Sequence, residues 1–191
     1  MDMSTDTRAQ RNGERKSQRP SERTARFILS IWGWLREIFK GTAATVPRGQ
    51  VFRHQGEYLP PGKVIRYPSI LLVEDNPNIA HEFIAAIKNY YSFGSVEILV
   101  AYVYDAAVTL FDNEDISLVI MDADLDDAGG DGVILVQKFL AERPGITILA
   151  NSSSRISNLK LTGFGAIGTL GKSTAKLNNW LSINDPAGSK G

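Results

Sequence analysis

Cysteine is absent from the 191-residue chain, which excludes disulfides, thiolate nucleophiles and cysteine-based zinc sites and agrees with a reducing compartment. The cytoplasm is therefore the expected location. Histidine is nearly as scarce: His54 and His81 lie far apart and lack metal-ligand spacing. No apolar run approaches the ~20 residues that span a bilayer, and no apolar stretch with a cleavage site opens the chain. Neither a transmembrane helix nor secretion is expected. Serines are plentiful, but no nucleophile-elbow pattern surrounds any of them, so a hydrolase triad is not supported. Gly129, Gly130 and Gly132 lack the flanks of a nucleotide-binding loop and read as turn residues. What remains is ordinary for a soluble packed domain: 43% apolar and 22% charged residues, in a chain long enough for one domain plus an extension.

The zero net charge conceals an uneven distribution. Met1 to Arg66 carries 13 Lys/Arg against 6 Asp/Glu, whereas Tyr67 to Gly191 carries 8 against 15. A basic arm thus precedes an acidic domain, and such an arm either visits an anionic partner or folds back on its own domain.

Residues 1–22 are polar and offer almost nothing to bury against the entropy of ordering, so they read as a disordered basic tail. Within 23–41, Phe27, Ile28, Ile31, Trp34, Leu35, Ile38 and Phe39 recur at helical spacing and Gly41 closes the pattern, which predicts an amphipathic helix. Residues 26–40 suit protein contact, including a homodimer, ahead of a membrane surface, because Glu37 and modest basicity weaken the lipid reading. Peripheral attachment at a membrane stays open on this ground. Residues 42–67 hold Pro47, Pro60, Pro61 and several glycines without sustained periodicity and read as a connector.

From residue 68 to 183, short β-branched runs alternate with helical patterns. Strands are predicted at Ile70–Glu74, Val96–Val100, Leu118–Asp122, Ile146–Asn151 and Ile167–Gly171. Helices are predicted at Asn78–Tyr90, Tyr104–Phe111, Asp131–Glu142, Arg155–Thr162 and Thr174–Leu181. Strict alternation of five and five implies an α/β, doubly wound, five-stranded parallel sheet, followed by a short tail over 184–191.

In such a sheet, functional groups collect at the carboxyl ends of the strands. The first predicted strand delivers Glu74 and Asp75 to that edge, and the third delivers Asp122. Carboxylates held close together repel unless a cation intervenes, and oxygen ligands of this kind suit a hard divalent ion such as Mg²⁺. Asp126 and Asp127 read as a solvated loop.

Taken together, Ile70-Leu71-Leu72-Val73-Glu74-Asp75-Asn76, Leu118-Val119-Ile120-Met121-Asp122, and Gly165-Ala166 followed by Lys172 resemble the receiver domain of two-component response regulators. The likeness covers about residues 70–181 and implies a flavodoxin-like receiver fold. It also implies that Asp122 accepts a phosphoryl group from a histidine kinase or phosphotransfer protein. Mg²⁺ would be held by Asp75, Asp122 and the Asp124 backbone carbonyl, with Glu74 acting through water and Lys172 pairing with the phosphoryl group. By the same likeness the protein is a signalling phosphoprotein that catalyses at most its own phosphorylation and dephosphorylation.

Two assignments stay open. The aspartate-to-glycine interval fits Asp122 with Gly130 and Asp124 with Gly132 equally well, and strand length favours Asp122 as the phosphoacceptor. Counting from Pro144 places the phosphoryl-binding hydroxyl at Ser152, itself a plausible turn or cap serine, whereas counting back from Lys172 lands nearer Ala150. Three positions depart from the family: Ser173 replaces a usual proline, so no cis peptide is expected there, Thr169 stands where many receivers carry an aromatic, and Asp126 or Ala128 stands where proline is common. Only about ten polar residues follow Leu181, so no DNA-binding output domain is expected, and output would pass to an unidentified protein target. The alternative is a receiver-like scaffold that keeps the fold without phosphorylation, or an adaptor recruited to membranes by its N-terminal helix.

Overall fold

The computed structural model describes residues 49–125 and 131–189, all within the compact unit Thr45–Gly191. The predicted tail and amphipathic helix, the loop residues 126–130 and the last two residues lie outside the described residues.

Six strands and five helices follow in the order β1 (Gln50–Gln55), β2 (Ser69–Val73), α1 (Pro77–Tyr90), β3 (Ser95–Ala101), α2 (Tyr104–Asn113), β4 (Leu118–Met121), α3 (Gly132–Glu142), β5 (Thr147–Ala150), α4 (Arg155–Gly163), β6 (Gly168–Thr169) and α5 (Thr174–Asn184), with a 3₁₀ turn at Pro186–Gly188. The sheet order is β1-β3-β2-β4-β5-β6. Strands β2 to β6 are mutually parallel, which is the predicted doubly wound core.

The strands lie between two helical layers, so their apolar runs are continuous rather than alternating with polar residues. Successive side chains then serve opposite faces. Leu71, Val73, Val119, Met121 and Ile148 pack with Phe111, Phe139 and Leu161 under α2, α3 and α4. Ile70, Leu72, Leu118, Ile120 and Leu149 pack with Phe83, Ile87, Leu177 and Leu181 under α1 and α5. The Phe111 and Phe139 rings stack with centroids 3.8 Å apart. Each fully buried side chain of this size contributes roughly 1.5–3 kcal/mol, so the central strands hold the site rigidly.

The sheet differs from prediction at both edges. β1 arises inside the segment read as a connector and pairs antiparallel with β3, with Arg53 opposite Glu97. Its residues are exposed except for half-buried Phe52 and His54, so an edge strand of this kind carries little hydrophobic signature. At the other edge β6 keeps only Gly168–Thr169, because Gly171 and Lys172 both turn at positive φ. Leu170 still extends the pairing through its N–H to the Ala150 carbonyl, at 2.7 Å.

Local signals start the helices. The side chains of Asn76, Asp131, Ser154 and Ser173 accept hydrogen bonds from N–H groups in the first turns of α1, α3, α4 and α5, and Pro77 occupies the first position of α1. Gly132 is required by close approach: a Cβ there would fall 1.8 Å from the Asp122 carbonyl oxygen. No helix among the described residues is long and apolar enough to cross a membrane.

Candidate functional site

The carboxyl ends of β2 and β4 lie side by side because Val73 pairs with Met121. The next residues are therefore forced together, and the Asp122 N–H donates to the Val73 carbonyl at 3.0 Å. Glu74 and Asp122 are buried, while Asp75 is half-buried. One carboxylate oxygen from each of Glu74, Asp75 and Asp122 lies within 4.8 Å of the other two.

Lys172 reaches this group from the turn after β6. Its ammonium donates to Asp122 Oδ2 at 2.5 Å and to Glu74 Oε2. Asp122 Oδ1 also accepts the Ala123 N–H at 2.7 Å. Burial pushes the Glu74 carboxyl up to about 7, opposed by the hydrogen bond and charge of Lys172 and assisted by the charge of Asp122. Burial likewise raises Asp122, again opposed by Lys172. Desolvation outweighs a shared ammonium because one positive charge serves two buried carboxyl groups.

Three carboxyl groups and one lysine are a charge mismatch that a divalent cation would correct. The donors are all oxygen, as a hard ion such as Mg²⁺ prefers, and Asp75 keeps the cluster open to solvent on one side. The residues present thus fit the ion expected from the sequence.

The rival aspartate occupies a different setting. Asp124 is exposed, and its Oδ2 accepts hydrogen bonds from Ser157 Oγ at 3.3 Å and Ser152 Oγ at 3.5 Å. Ser152 is buried, but its hydroxyl also accepts the Ser154 N–H at 3.1 Å. It is thus engaged with the loop at the start of α4. Thr169 is exposed and opens on a cleft lined also by Ser153, Arg155, Leu159 and Lys176.

Sequence reasoning missed Asn151. It follows Ala150, which pairs with Met121, so it ends β5 as Asp122 ends β4. It is fully buried and bonds both Glu74 and the Lys172 backbone. The available signal was a polar residue closing an apolar strand beside another such residue.

No protein-family model matches the chain, and no curated protein matches it. Solved structures do. A CheY-like response-regulator receiver domain protein from Methanospirillum hungatei aligns at 19% identity over 61% of this chain and 91% of its own, with a TM-score of 0.50. The response regulator TrrA of Thermotoga maritima, in complex with Mg²⁺ and BeF, aligns at 19% identity over 60% and 96%, with a TM-score of 0.52. The signal receiver domain of a Pseudomonas fluorescens HD domain-containing protein aligns at 22% identity over 65% and 91%, with a TM-score of 0.52. The described unit has the CheY-like receiver fold of response regulators.

Proposed function

We propose that this protein is a phosphoacceptor receiver in a two-component pathway, with Asp122 as the residue that takes the phosphoryl group. The supporting observation is the placement of Asp122 at the end of β4, against Lys172 and beside Glu74 and Asp75. A carboxylate oxygen of Asp122 would form the new P–O bond as the P–N bond of a partner's phosphohistidine breaks, the electron pair returning to the imidazole. Lys172 would transfer one of its hydrogen bonds to a phosphoryl oxygen, which needs no change in its own charge. Bound Mg²⁺, held by Asp75, Asp122 and the Asp124 backbone carbonyl, with Glu74 acting through water, would neutralise the phosphoryl oxygens. The likeness to a receiver bound to Mg²⁺ and BeF supports that ion.

Asp122 is preferred to Asp124 because Asp124 is exposed and bonded to the hydroxyls of Ser152 and Ser157. Ser152 would serve the phosphoryl group only after leaving Asp124. The donor would be a histidine kinase or phosphotransfer protein in the cytoplasm, and output would pass through contact with another protein. The chain would catalyse no reaction other than its own phosphorylation and dephosphorylation.

The test is incubation of the full chain with Mg²⁺ and beryllofluoride or a small phosphodonor, followed by intact mass and tryptophan fluorescence. Adduct formation that disappears in Asp122→Asn supports the assignment. An unmodified wild type would favour the second reading, a receiver-like scaffold, for which the observations are exposed Thr169 and the engagement of Ser152 with Asp124.

A further inference from the structure

Asn151 is buried between two groups of the candidate site that are 98 residues apart in the chain. Its Oδ1 accepts the Lys172 backbone N–H at 2.9 Å, and its Nδ2 donates to Glu74 Oε2 at 3.4 Å. Its own N–H donates to the Met121 carbonyl at 2.8 Å, which fixes its backbone to the strand that carries Asp122. The two ends of the amide are not interchangeable, because an N–H can be met only by the oxygen and a carboxylate only by the NH₂. The side chain is thus keyed in one orientation.

Lys172 sits at φ +59°, in the left-handed region, and is the only non-glycine residue there among the described residues. That conformation is unfavourable for a residue with a Cβ and persists where the surroundings hold it. The Asn151 side-chain oxygen, Oδ1, accepts the Lys172 N–H and holds it directly. Lys172 Nζ meanwhile contacts the Glu74 oxygen that Asn151 also contacts. One amide therefore restrains both the base of the lysine and its carboxylate partner.

We infer that Asn151 is a positioning residue which, through its side-chain amide, sets the backbone of Lys172 and the Glu74 carboxylate so that the lysine ammonium is delivered to Asp122. The role rests on the phosphoacceptor reading for its purpose, while its geometry is independent of that reading. A hydroxyl of serine size would fall short of one partner, and a carboxylate would face Glu74 with like charge.

The test uses the full chain in two measurements. The first is amide hydrogen exchange in the metal-free protein. Asn151→Ala should speed exchange at Lys172 by about tenfold, while the amides of β2 and β4 keep their protection. Asn151→Asp retains the acceptor for the Lys172 N–H and should keep more protection there than Asn151→Ala, short of wild type because its carboxylate faces Glu74. Unchanged exchange at Lys172 in Asn151→Ala, or equal acceleration throughout the sheet, would overturn the inference. The second is the rate of adduct formation with Mg²⁺ and a small phosphodonor. Asn151→Ala should slow it by about tenfold or more, and removing Asn151 in a Lys172→Met background should change the residual rate by less than about twofold. Additive losses would overturn the claim that Asn151 acts through the lysine. If wild type forms no adduct, the phosphoacceptor reading fails while the exchange experiment still decides the role of Asn151.

Discussion

Opposite ends of β2 hold two differently built carboxylate centres. Before the strand begins, Asp185 is buried and accepts the N–H groups of Arg66 and Tyr67, both at 3.0 Å, and the Tyr91 hydroxyl at 2.9 Å. The Tyr90 hydroxyl donates to the Asp185 backbone carbonyl at 2.9 Å. Burial, reinforced by the charge of Asp185, raises the pKa of the Tyr91 hydroxyl well above its ordinary value, which keeps it a donor. Three neutral donors fixed by backbone and ring meet this carboxylate, so the centre works as a clasp that joins the ends of α1 and α5 to the entrance of β2. After the strand ends, Glu74 and Asp122 share one ammonium, that of Lys172. That centre is under-compensated, and a group with unmet demand for positive charge is one that can bind a cation or exchange partners. Burial alone does not make an acid functional. The nature of its donors does.

The largest effect that would sharpen this contrast falls on Asp122. Asp122→Asn should abolish adduct formation with beryllofluoride, read by intact mass, while the chain stays folded, because one buried carboxyl group fewer relieves the crowding around Lys172. Next comes the clasp. Asp185→Ala strands the buried Tyr67 N–H and Tyr91 hydroxyl and removes the partner of the Arg66 N–H, and should destabilise the fold by about 3 kcal/mol in urea unfolding. Adduct chemistry at the opposite end of β2 should persist wherever the variant is folded. An Asp185 variant of normal stability would break the comparison.

A pH effect of similar or smaller size belongs to Glu74. Its carboxyl is raised from 4.5 to about 7 in the folded state, so the folded chain binds more protons than the unfolded chain between those values. Stability from this group therefore falls as pH rises through that window, by at most about 3 kcal/mol, and is greatest below it. Millimolar Mg²⁺ should favour the ionised carboxyl, remove much of that slope and release protons on binding. Unfolding curves from pH 4.5 to 7.5 would show it, and Glu74→Gln should flatten the slope without Mg²⁺. The smallest effect is a reference point on the surface. Arg53 and Glu97 form an ion pair at 3.0 Å across β1 and β3, with the arginine side chain 85% exposed. Arg53→Ala should cost well under about 1 kcal/mol, and less still at high salt.

Much of the fold was legible because burial on both faces leaves a strong mark. Ile70–Val73 and Leu118–Met121 are uninterrupted apolar runs, and each stops at an acid. Both became central strands, and Glu74, Asp75 and Asp122 met where the runs end. Helix starts were legible to within a residue or two, and at α1, α3, α4 and α5 a side-chain cap, a short-range interaction, marks the start. The edge strand β1 was not, since only Phe52 and His54 are even half-buried and its sequence carries little hydrophobic signature. The short β6 was overextended, because the turn that ends it depends on a left-handed Lys172 held by Asn151, the residue after β5.

The sequence by itself determined the apolar runs of the central strands and the acids that close β2 and β4, because these depend on neighbours a few positions apart. It favoured Asp122 over Asp124 through strand length alone, because the aspartate-to-glycine interval fits both residues equally well. The tertiary structure separated them. Pairing of β4 with β2 and β5 buries Asp122 under Lys172, while Asp124 faces Ser152 and Ser157. The same pairing selected Asn151 as the link between Glu74 and Lys172 and turned Ser152 toward the loop. Such choices rest on contacts between residues tens of positions apart, and only closure of the sheet brings those residues within hydrogen-bonding distance.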